Sequence, residues 1–170
     1  MHRYKTWNGP MPTAAAQASD ATGTTIKTSL QIATPSTRQI QLLSWGFTTD
    51  TPPGADAVFE LLDTDVAATV TAHVAAGVQP LTPGQPASLV TLGTAATGYA
   101  ATAEGAIANV RVHDVVAVSS VSAEAAPVLT YRYQFMPDER PIIAVSRFVR
   151  VRATTPTSGV NLRAFAVWDE

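Results

Sequence analysis

Cysteine is absent from the 170-residue chain, which removes disulfides, thiolate metal centres and cysteine nucleophiles together and leaves packing alone to hold the fold. Lysine is almost absent as well: Lys5 and Lys27 are the only two, so a phosphate-loop or Schiff-base lysine is missing from everything downstream of residue 27. Charged residues make up 14% of the chain, well under the usual share of about 25%. Thirteen acids against eleven basic groups leave a net charge of −2, a balance that argues against a nucleic-acid partner and against a solvated, disordered chain. No apolar run approaches the roughly 18 residues that a membrane span requires. The first twelve residues contain Arg3 and Lys5 but no apolar stretch of the secretory kind, so the expectation is an intracellular origin.

What the chain does have is alanine, valine and threonine. Its residues are 46% apolar at a mean hydropathy of only +0.11, and the length suits one domain of the usual ~100–200 residues with a real core. Residues 8–25 hold Gly9-Pro10, Pro12, the run Ala14-Ala15-Ala16 and then small polar residues, with almost nothing large to bury. Residues 1–25 are therefore expected to form an extended N-terminal arm ahead of a domain at residues 26–170. Tyr4 and Trp7 are the exceptions in that arm, aromatic groups that either pack on their own domain or anchor the arm on a neighbour.

From Ile26 the pattern turns to period two. Ile26, Thr28, Leu30 and Ile32 alternate with Lys27, Ser29 and Gln31, and Ile40, Leu42, Ser44 and Gly46 alternate with Gln41, Leu43, Trp45 and Phe47, so each stretch reads as a strand. Residues 57–62 give a third. Residues 66–77 fit two templates, because Val66, Val70 and Val74 have helical spacing between Asp65 and Gly77 while Val66, Ala68, Val70, Ala72 and Val74 also line one face of a strand. The three prolines of residues 80–86 exclude a central strand there. Residues 87–106, poor in large side chains, read as a long loop with room for a helical turn. Residues 107–113, 115–121, 128–135, 142–153 and 160–168 are strand-like. In 129–135 the alternation predicts a dry face of Leu129, Tyr131, Tyr133 and Phe135 and a wet one of Thr130, Arg132 and Gln134. About eight strands without regular helices between them predict an all-β chain, an antiparallel β-sandwich, and its two long excursions favour a jelly-roll-like arrangement.

The chain offers little for catalysis. The three histidines, His2, His73 and His113, have no close ligand spacing, and His113-Asp114 would need His73 from across a sheet to make a two-histidine, one-carboxylate site. Asp63 and Asp65 start like a calcium loop, but Ala68 and Val74 stand where the loop needs glycine and glutamate. No Gly-x-Ser-x-Gly elbow occurs, and Gly93 to Gly98 is followed by Tyr99-Ala100 instead of lysine and a hydroxyl residue. Glu60, Glu104, Glu124 and Glu139 are carboxylates without an assigned role, in a chain with too few charges and too small side chains for a sugar-cleaving groove. No enzyme activity, cofactor or metal is expected.

Charge is unevenly spread. Residues 1–127 hold five basic and nine acidic groups, whereas residues 128–170 hold six arginines and four acids. Arg150 and Arg152 share a strand face with Phe148, and Arg147 shares the opposite one with Val145, Val149 and Val151. At least one of these arginines must therefore point into an apolar neighbourhood, where a guanidinium pairs with a carboxylate in a core or a subunit interface.

Four stretches, SLQIATPSTRQIQLLSWGFTTD (residues 29–50), AATVTAHVAAGVQPL (67–81), ASLVTLGTAATGY (87–99) and VSRFVRVR (145–152), resemble small all-β capsid decoration and head structural proteins of actinobacterial phages. The resemblance implies a virion protein made in the bacterial cytoplasm, a homotrimer seated on the outside of a phage head against the major capsid protein, which reinforces capsomer junctions by adding buried interface. On that basis the arm is a clamp with Tyr4 and Trp7 as anchors, and Arg132, Arg147, Arg150, Arg152 and Arg163 make contacts between subunits or with an acidic shell. The other class open to such a fold is a phage tail, receptor-binding or carbohydrate-binding module, with the loop at residues 80–105 presented to the host and Tyr99 as the stacking residue.

Overall fold

A computed structural model describes residues 2–118, 129–155 and 160–170. Thirteen strands follow one another: β1 (Arg3–Trp7), β2 (Asp20–Ala21), β3 (Lys27–Ala33), β4 (Ile40–Thr49), β5 (Ala57–Thr64), β6 (Thr69–Ala72), β7 (Val78–Pro80), β8 (Gly98–Ala103), β9 (Val110–Val118), β10 (Thr130–Gln134), β11 (Ile142–Ile143), β12 (Phe148–Thr154) and β13 (Asn161–Asp169). One 3-10 turn, Ala75–Gly77, is the only helical element among the described residues. The front sheet runs β10-β4-β13-β1-β7, with β11 added on β4 and β2 on β13; the back sheet runs β6-β8-β3-β12-β5-β9. The connections β3–β4, β4–β5 and β12–β13 each cross from one sheet to the other. The architecture is the expected antiparallel β-sandwich.

Period-two alternation places one face of each strand between the sheets. The front sheet contributes Tyr4, Leu42, Trp45, Phe47 and Trp168 to the core, and the back sheet Leu30, Ile32, Phe59, Leu61, Val149 and Val151. Phe47 of the front sheet and Phe59 of the back sheet stack with centroids 4.2 Å apart, and burying each such ring contributes roughly 1.5–3 kcal/mol. Room for the large rings comes from alanines in the neighbouring strand: Ala166 lies opposite Trp45 and Ala164 opposite Phe47, so large and small side chains interleave across the pair.

The outer face of the back sheet is covered by the chain itself over β3 and β12, while β9 leaves Val110, Val112 and Val115 exposed. Arg150 of β12 and Gln31 of β3 are cross-strand partners, and both side chains point away from the core yet are fully buried. The Gln31 amide donates to Ala68 O (3.3 Å) and Ala96 O (2.6 Å) and accepts from Ala68 N (2.7 Å). The Arg150 guanidinium donates to Glu104 O and Glu104 Oε2 (both 3.0 Å) and to Val66 O. Two adjacent side chains thus fasten the backbone at Val66, Ala68, Ala96 and Glu104 over β3 and β12. β6 approaches β8 closely at Gly98, where a Cβ would collide with Thr71 O, so only glycine fits there.

Several expectations are corrected. Residues 1–25 do not form an arm throughout: Arg3–Trp7 is a strand enclosed between β13 and β7, and Asp20–Ala21 pairs with β13, which leaves Pro10–Ala16 as the exposed stretch. The short alternation Arg3-Tyr4-Lys5-Thr6-Trp7 was obscured because its second inward residue, Thr6, is polar and is satisfied by Gly77 O at 3.0 Å. Residues 66–77 divide between β6 and the 3-10 turn, and the expected loop at residues 87–106 contains β8. Residues 107–113 and 115–121 are not two strands: Val110–Val118 is one, with a bulge where Leu61 faces Asp114 and Leu62 faces Val112. Positions 119–128, Glu124 among them, and Met1 lie outside the described residues. Residues 142–153 split into β11 and β12 around Ser146, whose φ is +55°. Tyr133 leaves the expected dry face and is exposed, edge-on to Phe135 at 5.0 Å.

Replacing Glu104 by alanine strands the Arg150 guanidinium without its carboxylate, and the expected loss is about 3 kcal/mol of unfolding free energy, measurable as a lower urea midpoint at unchanged slope.

Candidate functional site

The residues singled out by sequence separate into two groups. Tyr4 is not an anchor on a neighbour: it is 1% exposed, 6.0 Å from the Trp168 ring, and its hydroxyl donates to Pro86 O at 2.9 Å. Arg147, Arg150 and Arg152 are engaged within the chain. Arg147 Nε donates to Asp63 Oδ1 at 2.6 Å, Arg150 pairs with Glu104 and Arg152 with Glu60 at 2.7 Å. Their opposite charges come from the acid-rich first part of the chain, so the charge asymmetry is resolved inside one molecule and these three arginines are not free for a shell or a second subunit.

Trp7, Arg132 and Arg163 behave differently, because the front sheet brings them together on its outer face. Register sets one residue from each of four strands side by side: Arg132 opposite Gly46, Gly46 opposite Phe165, and Phe165 opposite Trp7. One row along, Lys5 lies opposite Val167; one row the other way, Arg163 lies opposite Thr48. The Trp7 and Phe165 rings are 5.2 Å apart and tilted by 51°. Lys5 Nζ sits 4.2 Å from the Trp7 centroid and 4.4 Å from that of Phe165, and Arg132 Cζ is 5.9 Å from Phe165, each cation facing the negative face of a ring. Burial, with the Arg132 charge second, lowers the Lys5 pKa. Neither Lys5 nor Arg132 has an ion-pair partner among the described residues, and Arg163 Nε donates to Gln17 O at 3.0 Å. Lys5, Phe165 and Gly46 were not anticipated. The alternations Arg3-Lys5-Trp7 and Arg163-Phe165-Val167 are visible in the chain, but only cross-strand register places them in one row.

Gly46 makes the row possible. A Cβ there would stand 2.5 Å from Tyr131 O and 2.8 Å from the Phe165 ring, so the absence of a side chain lets the ring lie over β4. Beneath the end of β1, His73 Nε2 is 2.8 Å from Trp7 O and 3.2 Å from Thr6 Oγ1. Thr6 Oγ1 gives its proton to Gly77 O, so Nε2 carries the hydrogen and His73 holds the Trp7 backbone as a neutral donor. Burial lowers the His73 pKa, partly offset by that bond.

Two other polar centres are internal. The β9 bulge turns both His113 and Asp114 toward the interior. His113 Nε2 lies 3.0 Å from Asp63 Oδ2, while Asp114 Oδ2 accepts from Trp45 Nε1 at 2.9 Å and Tyr131 OH at 2.8 Å. Burial and then that carboxylate push the Tyr131 pKa up to about 12. Burial resists ionisation of Asp63, yet the bonds from His113 and Arg147 outweigh it and lower its pKa. His113 and His73 thus have separate partners and do not meet around a metal. Asp65 accepts from Asn109 N and Nδ2, which holds its pKa at about 2. Tyr99 is not at a loop tip: it lies in β8, half-buried, 4.9 Å from the His73 ring. No protein-family model, curated protein or solved structure matches the chain.

Two outcomes follow. Gly46→Ala should displace Phe165 and cost about 1–3 kcal/mol, read by thermal melting. Because the folded His73 pKa is below the unfolded value of about 6.5, its contribution is full above that pH and declines as pH falls through it; urea melts at about pH 7.5 and about pH 5.5 should show the loss, and His73→Gln should reduce it.

Proposed function

We propose that the chain is a capsid decoration protein: a non-enzymatic β-sandwich that sits as an oligomer, a trimer by resemblance, on the outside of a phage head, contacts the major capsid protein and reinforces capsomer junctions. The observation that carries this reading is the cation–aromatic row on the outer face of the front sheet. A pleated sheet face suits a broad contact surface, and tilted rings flanked by unpaired cations are the residue types that dominate such contacts. The buried Arg150 and Gln31 bonds to Val66, Ala68, Ala96 and Glu104 on the opposite face support a stiff body suited to a mechanical role. Three copies in a trimer would multiply a modest contact by avidity. The attachment residues on this reading are Trp7, Lys5, Arg132 and Arg163, on a sheet and not on a free arm. The tail or carbohydrate-binding alternative loses its named stacking residue, since Tyr99 packs on His73.

Purified protein added to heads of the encoding phage that lack it should co-sediment with them and raise their thermal rupture temperature. Trp7→Ala should reduce occupancy at least about tenfold, a loss typical of an interface anchor, while lowering the protein's own stability by only about 1 kcal/mol through the lost Phe165 contact. Heads that neither bind nor gain stability, together with binding in a glycan array, would overturn the reading.

A further inference from the structure

We propose that the row on the front sheet is a carboxylate reader: its partner is a protein surface that presents acidic side chains to Lys5 and Arg132 across the Trp7 and Phe165 rings. This specificity rests on the reading of that face as the contact surface and names the partner's chemistry.

The cations of the row lack what their chemistry demands. Lys5 Nζ lies over two rings, which supply quadrupole attraction but no hydrogen-bond acceptor, and its ammonium has three N–H donors. Arg132 is exposed and offers a planar fork that matches a carboxylate in a bidentate pair. Arg3 and Arg163 flank them on the same face, following the alternation of β1 and β13. Asp169, beside Arg3 at the far end of the face, is the carboxylate nearest in register among the described residues. The rings exclude water from one side of each cation and thereby strengthen any ion pair formed there.

A single-stranded nucleic acid fits this face less well. Base stacking needs an open ring face, but Lys5 covers the faces of both Trp7 and Phe165, and Phe165 is in close contact with Gly46 on its other flank. The backbone N–H groups at the centre of the sheet are committed to the ladder, so no nest exists there for phosphate. A continuous polyanion also meets the whole molecule's net charge of −2, whereas isolated acidic side chains on a protein surface interact within about one Debye length, ~10 Å at moderate salt.

The full chain should bind a short fluorescein-labelled peptide of alternating Glu and Ser in fluorescence anisotropy, weakly and with affinity that falls as salt is raised. The double variant Lys5→Gln, Arg132→Gln should lose about tenfold or more. Arg132→Lys should retain part of the binding, and Arg111→Gln, on β9 of the other sheet, should change nothing. Circular dichroism melts establish that each variant is folded. Equal affinity of the double variant, or tighter binding of oligothymidylate than of the acidic peptide, would overturn the proposal. Peptide binding without attachment to heads would retire the decoration reading and leave the carboxylate reader standing; attachment to heads that the double variant leaves unchanged would do the reverse.

Discussion

A guanidinium that no solvent reaches must have its charge answered within the protein, and Arg150 sets that demand at the centre of the back sheet. Desolvating such a group costs several kcal/mol unless a carboxylate and carbonyl oxygens replace the lost water. Val66 O on one side and the Glu104 carboxylate and carbonyl on the other meet it. Gln31 in the adjacent strand fixes Ala68 and Ala96 between them. With β3 and β12 covered by the chain, β9 still leaves Val110, Val112 and Val115 exposed on the back sheet, whereas the rings with Lys5 and Arg132 lie on the outer face of the front sheet.

The strands with strict alternation were legible in the sequence. β3, β4, β5 and β13 appear where the period-two runs place them, because each carries large apolar residues on its inward face, although β4 shifts its alternation between Leu42 and Ser44 and β13 carries Phe165 and Val167 outward. The strands that were missed broke that link between burial and hydrophobicity. β1 buries Thr6, which is satisfied by hydrogen bonds and not by packing, and β8 is, apart from Tyr99, built from glycine, alanine and threonine, too small to mark a core. The single strand at Val110–Val118 read as two because its bulge at His113 shifts the alternation by one residue.

The candidate site shows the same division. Residue type pointed to Trp7, Arg132 and Arg163, and the excess of arginine over acid in the last quarter of the chain pointed to complementary charge. Which arginines would find that charge inside the molecule depends on pairing across strands far apart in sequence: Arg152 meets Glu60 and Arg150 meets Glu104 only once β12 lies between β3 and β5. Register likewise made the row at Gly46, since a glycine in mid-strand carries no signal until a ring is found above it. His73, read as a distant ligand, holds the strand that carries Trp7, so the N-terminal segment owes its place to residues some 66 positions away.

The central claim is that the outer face of the front sheet, and not that of the back sheet, is the contact surface. Because the chain has no cysteine, one introduced thiol reports one position. Maleimide labelling of Gln134→Cys, on the front face beside Arg132, should be blocked when the protein is seated on phage heads in the proposed role, while Val112→Cys, exposed on β9 of the back sheet, stays reactive. Protection at position 112 with free labelling at 134 would contradict the account.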